Sequence, residues 1–352
     1  MPAPAAVIPT DELRAFIAAI FEKSGVAPDQ AATMAEVMTW ASVRGVDTHG
    51  TGLVPTYLRF LDRGVVNTAA DVQVVSTTPA AAVVQADRAP GPVALTRAAD
   101  LAVETARTTG IASVGVQRTI HTGAIGYYTH RIAEAGMIGI GFVAGMPNMG
   151  YTGVKGAAVA TSPLSVAVPS AKHGIVLLDM ATATIAMGRI KQHKASGTPL
   201  PEGAASTADG TPTTDPELAE MPLPLGGAKG SGMSLVFELL TSVLVGAPVL
   251  AQVHTGTGEG KKHRQNALLI AIDPAAYGDA AEFGEQVDAT LDALKSLPTA
   301  DGVDGIYFPG ERSAGVAAER AAGVPVMPKV WAQLVEAAET LDVALPSTAD
   351  GA

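Results

Sequence analysis

The sequence predicts a mixed α/β fold, in which a sheet is flanked by helical segments drawn from both ends of the chain. The apolar spacing is helical up to about residue 65 and turns extended near residue 71, after which strand and helix signals alternate. Two further helical patterns follow and end near residue 341. Hydrophobic residues make up 47% of the 352 positions and charged residues 16%, enough apolar material for a sizeable core. Aromatics contribute 4%, so that core is to be built from Ala, Val, Leu and Ile.

The first ten residues have neither a basic n-region nor a long apolar run; they fail as a secretory signal, are expected to fray, and leave the cytoplasm as the expected location. Thr10 is placed to cap a helix over 10–23, with Asp11 and Glu12 in its first turn and Gly25 beyond its end. A second helix is expected over 28–43, stopping at Gly45, and a third over 53–62, stopping at Gly64. Between them lies Arg44-Gly45-Val46-Asp47-Thr48-His49-Gly50, too polar for a core and too short for a linker, hence a candidate site. Strands are expected at 72–75 and 82–85, then a helix over 91–108, a strand over 111–117, a loop, a helix reaching 135, and a strand over 137–144. Strands at 164–168 and 175–178 flank a turn holding Lys172, His173 and Gly174. The Pro-, Gly- and Thr-rich run 196–228 is expected to be a long loop or arm. The longest apolar stretch, 233–250, is broken by Ser234, Glu238, Thr241, Ser242 and Gly246, so it reads as a buried helix and not a membrane span. The tail is expected to hold a strand at 267–272, a helix over 283–297, a short strand at 306–308 and two helices, with the last ten residues disordered.

Several chemistries are excluded early. A net charge of −11, with 23 Lys and Arg spread thinly, argues against a nucleic-acid partner. The absence of cysteine removes disulfides, thiolate metal sites and a cysteine nucleophile. No H-x-x-x-H, H-E-x-x-H or EF-hand pattern occurs, so no metal site is expected, and no G-x-S-x-G elbow supports a hydrolase.

Two glycine-rich stretches invite a nucleotide reading. Gly139-Ile140-Gly141-Phe142-Val143-Ala144-Gly145 has the wrong spacing for a Rossmann turn and falls inside an expected strand. Gly226-Gly227-Ala228-Lys229-Gly230-Ser231-Gly232 precedes the long apolar segment; it is either an anion-binding helix start, with Lys229 adding charge, or a glycine-punctuated helix start with a solvated lysine. Of the seven histidines, His121 follows an expected buried strand and precedes a helix, where a group titrating near neutrality can donate a proton during carbonyl reduction or else cap the helix. His49, between Thr48 and Gly50, either contacts substrate or belongs to a capping network; His130, His173, His193, His254 and His263 read as surface residues.

In their order and spacing these motifs resemble the malate/L-lactate dehydrogenase family, a non-Rossmann group that includes ureidoglycolate dehydrogenase, sulfolactate dehydrogenase and Δ1-piperideine-2-carboxylate reductase. The resemblance spans nearly the whole chain. It is carried by Arg44 to Gly50, by His121-Thr122-Gly123-Ala124 running to Tyr127-Tyr128, by Gly136-Met137-Ile138-Gly139-Ile140 and by Ser162-Pro163-Leu164. Asp179-Met180-Ala181-Thr182, Pro212-Thr213-Thr214-Asp215-Pro216 and Lys229-Gly230-Ser231-Gly232-Met233 complete it. The resemblance implies a mostly antiparallel sheet that binds NAD or NADP over 71–310, a helical domain made of 1–70 with 311–345, and a homodimer with the active site between domains near the partner. It implies hydride transfer to C2 of a small 2-oxo acid with His121 as catalytic acid/base. It also implies cofactor contacts at Asp179, Met180, Ala181, Lys229 and Gly230, and a substrate wall of Thr48, His49 and Tyr57.

The sequence departs from the family pattern at four points. Thr51-Gly52-Leu53-Val54 stands where many members have an arginine for a substrate carboxylate, Ser162 and Ile120 stand where asparagine is common, and Met146 where some have aspartate. A less polar pocket and a bulkier or less charged substrate are the expectation. A cyclic imino acid is the second substrate reading, and a catalytically silent protein on the same scaffold is the reading from a different class. Arg189, Lys191 and Lys194 are candidates for contacting a 2′-phosphate.

Overall fold

The computed structural model describes residues 5–257 and 264–348; His263 lies outside them. At its centre is a seven-stranded sheet in the order β2-β3-β4-β13-β5-β8-β9, formed by Gln73–Thr78, Ala81–Gln85, Ile111–Thr119, Gln265–Ile272, Ile138–Gly145, Pro163–Pro169 and Ile175–Ala181 respectively. Every neighbouring pair is antiparallel except β3 with β4. That exception follows from the connection: helix α4 (Gly91–Thr109) carries the chain back across the sheet, as a parallel pair requires. The expected mostly antiparallel, non-Rossmann sheet is what the chain forms.

The glycines rejected as a nucleotide fingerprint have a packing role. Gly139 and Gly141 point from β5 toward helix α5 (Gly126–Glu134), and a Cβ on Gly139 would lie 2.6 Å from the Thr129 carbonyl oxygen. On the other pleat face Phe142 meets Phe237, ring centroids 4.8 Å apart, so helix α7 (Ala228–Glu238) covers the opposite side. One apolar core lies between the sheet and α4 and α5. A second is built by α1 (Thr10–Lys23), α2 (Pro28–Val43), α3 (Val54–Asp62) and α11 (Pro328–Leu341).

Several expectations are corrected. The N-terminal residues do not simply fray: β1 (Ala6–Ile8) pairs antiparallel with β14 (Val324–Val326), and Ile8 is fully buried. Thr10 is not the cap of α1; it lies in the first turn and its hydroxyl donates to the carbonyls of Arg320 and Ala321 at 3.3 and 3.2 Å. Helix α3 begins one residue later than expected, after a 3-10 turn at Thr51–Leu53. The 196–228 run is not structureless, because Ala205–Ser206 pairs with Pro212–Thr213 and with Met221–Pro222, and Ile190, Leu200, Ala205 and Ala219 give it a small core of its own. Residues 306–308 form no strand. Nor is the C-terminal segment loose up to residue 348, since the Ser347 amide donates to the Glu12 carboxylate at 2.7 Å.

The expected buried helix over 233–250 is a more consequential error. It is helix α7, then a π-turn at Leu239–Val243, and its burial is inverted. Ser231, Ser234, Glu238, Thr241 and Ser242 face the protein, while Leu235, Val236, Leu239, Leu240, Val243 and Leu244 are exposed, Leu244 by 62%. The buried polar atoms are largely satisfied: the Ser234 hydroxyl donates to the Ala160 carbonyl at 2.7 Å, and Glu238 Oε1 accepts from the amides of Val249 and Leu250. No helix among the described residues is long and apolar enough to cross a membrane.

Candidate active site

The segment Arg44 to Gly50 is anchored before it meets any ligand. Arg320 donates to the Ser42 carbonyl and to Asp47, at 2.6 and 2.9 Å. The Ser42 hydroxyl accepts from the Thr51 amide at 2.9 Å, and Gly50 passes so near that a Cβ would lie 2.0 Å from that oxygen. This fixes Thr48 and His49 at the edge of a cavity of about 860 Å³. Its walls include Trp40, Leu178, Met180, Tyr307 and Phe308, and its charged groups are Arg44, Asp179 and Arg312. A larger cavity, about 940 Å³, is lined by Arg88, Arg118 and Asn266 among mostly polar walls and takes in none of the candidate residues. Chemistry is assigned to the smaller one because that is where titratable groups meet apolar surface.

His121 emerges just past the end of β4, in the loop whose next residues, Gly123, Ala124 and Ile125, line this cavity. Its ring stacks with that of His49, centroids 6.0 Å apart and planes 28° from parallel. The Gly123 amide donates to His121 Nδ1 at 3.1 Å, so Nδ1 is an acceptor and the neutral ring carries its proton on Nε2. His49 Nδ1 is 3.1 Å from the Thr48 hydroxyl. Burial pulls the pKa of His49 below the ordinary histidine value, so His49 is neutral at neutral pH.

Asp179 is brought in by β9. Its Oδ2 accepts from the Gly126 amide at the start of α5, 2.9 Å away, and a Cβ on Gly126 would lie 2.6 Å from that oxygen. The carboxylate is open to solvent in the cavity but crowded by protein on its other sides. Crowding raises its pKa to about 6, with the Gly126 amide pulling the opposite way. Met180 and Ala181 line the same wall.

Three candidate residues lie elsewhere. Tyr57 is fully buried in the helical core and, like the His121 ring itself, does not line the cavity; its ring meets that of His121 edge-on, centroids 6.0 Å apart, and its hydroxyl donates to the His121 carbonyl. Lys229 is exposed at the start of α7, and Gly230 packs against the Thr182 carbonyl, one residue beyond the cavity wall. The amides of the glycine-rich turn are largely spent within it, Gly227 on Pro224 at 3.1 Å and Gly230 on Leu225 at 2.8 Å, so of the two readings of this turn those amides fit the glycine-punctuated helix start.

Sequence reasoning missed the cavity's cations. Arg44 stacks 5.1 Å from the Trp40 ring centroid and donates to the Ser313 hydroxyl at 3.2 Å. Burial lowers its pKa, Glu134 opposes this, and arginine stays charged throughout. Arg312 stacks on Tyr307 at 4.2 Å. Arg44 stood in the quoted motif, but nothing local announced that residues 305–313 would close over it. Two of the departures taken to make the pocket less polar do not reach it: Ile120 is buried in the helical core, and Ser162 is hydrogen-bonded to Ser234. Of the histidines read as surface residues, His130 packs on Trp40 and His173 lies 2.8 Å from Asp292, both partly buried.

Residues 8–335 match the family model described as malate/L-lactate dehydrogenase. The chain belongs to the malate/L-lactate dehydrogenase family. It is 34% identical over 319 residues to L-sulfolactate dehydrogenase of Methanocaldococcus jannaschii, covering 90% of this chain and 92% of that protein. It is 32% identical over 296 residues to ureidoglycolate dehydrogenase (NAD(+)) of Escherichia coli K12, covering 82% and 83%. The crystal structure of malate dehydrogenase from Entamoeba histolytica superposes with a TM-score of 0.91 at 25% identity, covering 97% of this chain and 99% of that one. As a family member the chain is an oxidoreductase.

Proposed function

We propose that this dehydrogenase transfers a hydride between a nicotinamide cofactor and C2 of a small 2-oxo or 2-hydroxy acid, with His121 as general acid and base. The observation that carries the reading is the stacked His49–His121 pair beside an apolar-walled cavity holding Arg44 and Arg312. The cavity suits a dinucleotide. Its volume falls in the range of about 300–1,000 Å³ typical of small-molecule pockets, its apolar walls suit flat rings, and Arg312 suits a phosphate. Beside Ala181, the buried Thr182 hydroxyl has no hydrogen-bond partner among the described residues. Asp179, Met180 and Ala181 would lie against the cofactor, with Lys229 and Gly230 at the adjoining turn. Bound there, the nicotinamide supplies or accepts the hydride.

The chain's own residues handle the proton. His121 gives one to the carbonyl oxygen during reduction and takes it back during oxidation. A neutral His49 beside it adds no second positive charge. Arg44, desolvated and held by Trp40 and Ser313, replaces the family arginine absent near Leu53 as the anchor for a substrate carboxylate; an anionic substrate therefore replaces the less charged one expected from sequence. The cofactor is NAD or NADP; Lys194 is paired with Glu217 at 3.3 Å, and Arg189 and Lys191 are the remaining 2′-phosphate candidates. A homodimer in the cytoplasm completes the reading, a second copy covering the exposed leucine and valine face of α7 and its π-turn.

The test is His121→Ala with a substrate panel of malate, lactate, sulfolactate and Δ1-pyrroline-2-carboxylate. Turnover on a 2-oxo or 2-hydroxy acid should fall about 100-fold or more while cofactor still binds by fluorescence titration. Unchanged turnover removes His121 from the mechanism, reduction of the cyclic imine alone reassigns the substrate, and failure of the native protein to bind NADH or NADPH removes the enzymatic reading.

A further inference from the structure

The His121 loop is held at both ends of two successive peptide units. In the peptide joining His121 to Thr122, the carbonyl accepts from the Tyr57 hydroxyl and the amide donates to Gln265 Oε1 at 3.1 Å. In the peptide joining Thr122 to Gly123, the carbonyl accepts from the Tyr128 hydroxyl and the amide donates to His121 Nδ1 at 3.1 Å. Tyr57 and Tyr128 are both fully buried, approach from different helices, and donate to consecutive carbonyls. Burial keeps both hydroxyls protonated, since each has its pKa pushed well above the usual tyrosine value.

A peptide unit is planar, so holding its oxygen sets the direction of its N–H. The hydroxyl of Tyr128 therefore governs where the Gly123 amide points, and that amide makes Nδ1 of His121 an acceptor. Turning the peptide would withdraw the N–H from the ring and remove the preference for the proton on Nε2. Gly123 itself has φ +69°, a left-handed conformation that glycine adopts freely, so the loop's own backbone preferences do not lock this turn and an external tie is needed.

We propose that Tyr128 is a positioning residue that sets the tautomer of His121 through the Thr122–Gly123 peptide, while Tyr57 steadies the neighbouring peptide without fixing the tautomer. The consequence for turnover rests on the proposed role of His121; the tautomer does not. The experiment is 15N NMR of the full-length protein labelled at histidine, with the His121 signals identified by their loss in His121→Gln. Wild type should show the proton on Nε2, Tyr128→Phe a mixture of tautomers, and Tyr57→Phe the wild-type pattern. In steady-state kinetics Tyr128→Phe should lose about tenfold in kcat with KM and cofactor Kd nearly unchanged, the signature of a mis-set catalytic group and not of a damaged pocket. A wild-type ring with its proton on Nδ1 overturns the proposal without any variant, as does Tyr128→Phe with the wild-type tautomer, or an equal change in both tyrosine variants. Should His121→Ala retain full turnover, the mechanistic reading fails while the NMR result still decides the positioning role.

Discussion

Gly91 is the first residue of α4, and the turn it opens presses against the His121 loop. Replacing it with alanine puts a Cβ 2.3 Å from the His121 carbonyl oxygen, 2.5 Å from Thr122 Cα and 2.7 Å from the His121 carbonyl carbon. Comfortable contact begins at roughly 3.5 Å, so the shortfall is about 1 Å against three atoms at once. All three belong to the backbone, so no side chain can swing aside. The His121 carbonyl is also tied to Tyr57, and retreat of the loop must break or stretch that bond. Overpacking of this kind costs about 1–3 kcal/mol, and the upper end applies where rotamer relaxation is closed off.

The consequence for turnover follows from the same displacement. With His121 in its proposed role, moving it by about 1 Å can cost on the order of 100-fold in rate, so Gly91→Ala should lose activity far out of proportion to any change in cofactor affinity. The assays are urea unfolding for stability, steady-state kinetics for kcat, and fluorescence titration for cofactor. Gly315→Ala is the control: it lies within helix α10 (Glu311–Glu319) with no atom within 4 Å of the new Cβ. There the same substitution should stabilise by about 0.5–1 kcal/mol through the lower backbone entropy of alanine. A Gly91→Ala protein with wild-type urea midpoint and wild-type kcat would mean that the helix start and the His121 loop are not in the contact described.

Asp179 makes a pH prediction of definite sign. Its folded pKa, about 6, lies above the ordinary aspartate value of 3.8, so its contribution to stability is fully present below pH 3.8 and is lost as pH rises toward and through 6. Urea midpoints of Asp179→Asn should lack that part of the decline between about pH 4 and pH 6; superimposable pH profiles for the two proteins would contradict it. For the exposed face of α7 and its π-turn, Leu239→Glu with Val243→Glu should convert a dimer to a monomer in analytical ultracentrifugation, because each charge would be buried unpaired against a second copy. A wild-type protein that sediments as a monomer at micromolar concentration sinks that idea outright.

Much of the site's raw material was legible along the chain. The helices over Thr10–Lys23 and Pro28–Val43 follow from apolar spacing with glycine stops at Gly25 and Gly45, since such signals act within a few residues. His121 stood out because the end of a buried strand is a local feature too, and the failed Rossmann spacing of Gly139 and Gly141 correctly removed the commonest nucleotide fold. What sequence could not supply depended on segments far apart in the chain. The strand at Ala6–Ile8 exists only because Val324–Val326 lies beside it, more than 300 residues on.

By itself, then, the order of residues determined the helix periods, the strand character and the types of group available for proton transfer, because each is set by neighbours within a turn or a pleat. Only the tertiary structure decided which groups face which. It turned the leucines of α7 and its π-turn outward and their serines inward, set Tyr57 under the His121 carbonyl, and brought Arg44 together with Arg312 across 268 positions of chain. The physical reason is that burial and electrostatic pairing are properties of a position in space, and the distance along a chain between two residues says little about the distance between their side chains once it has folded.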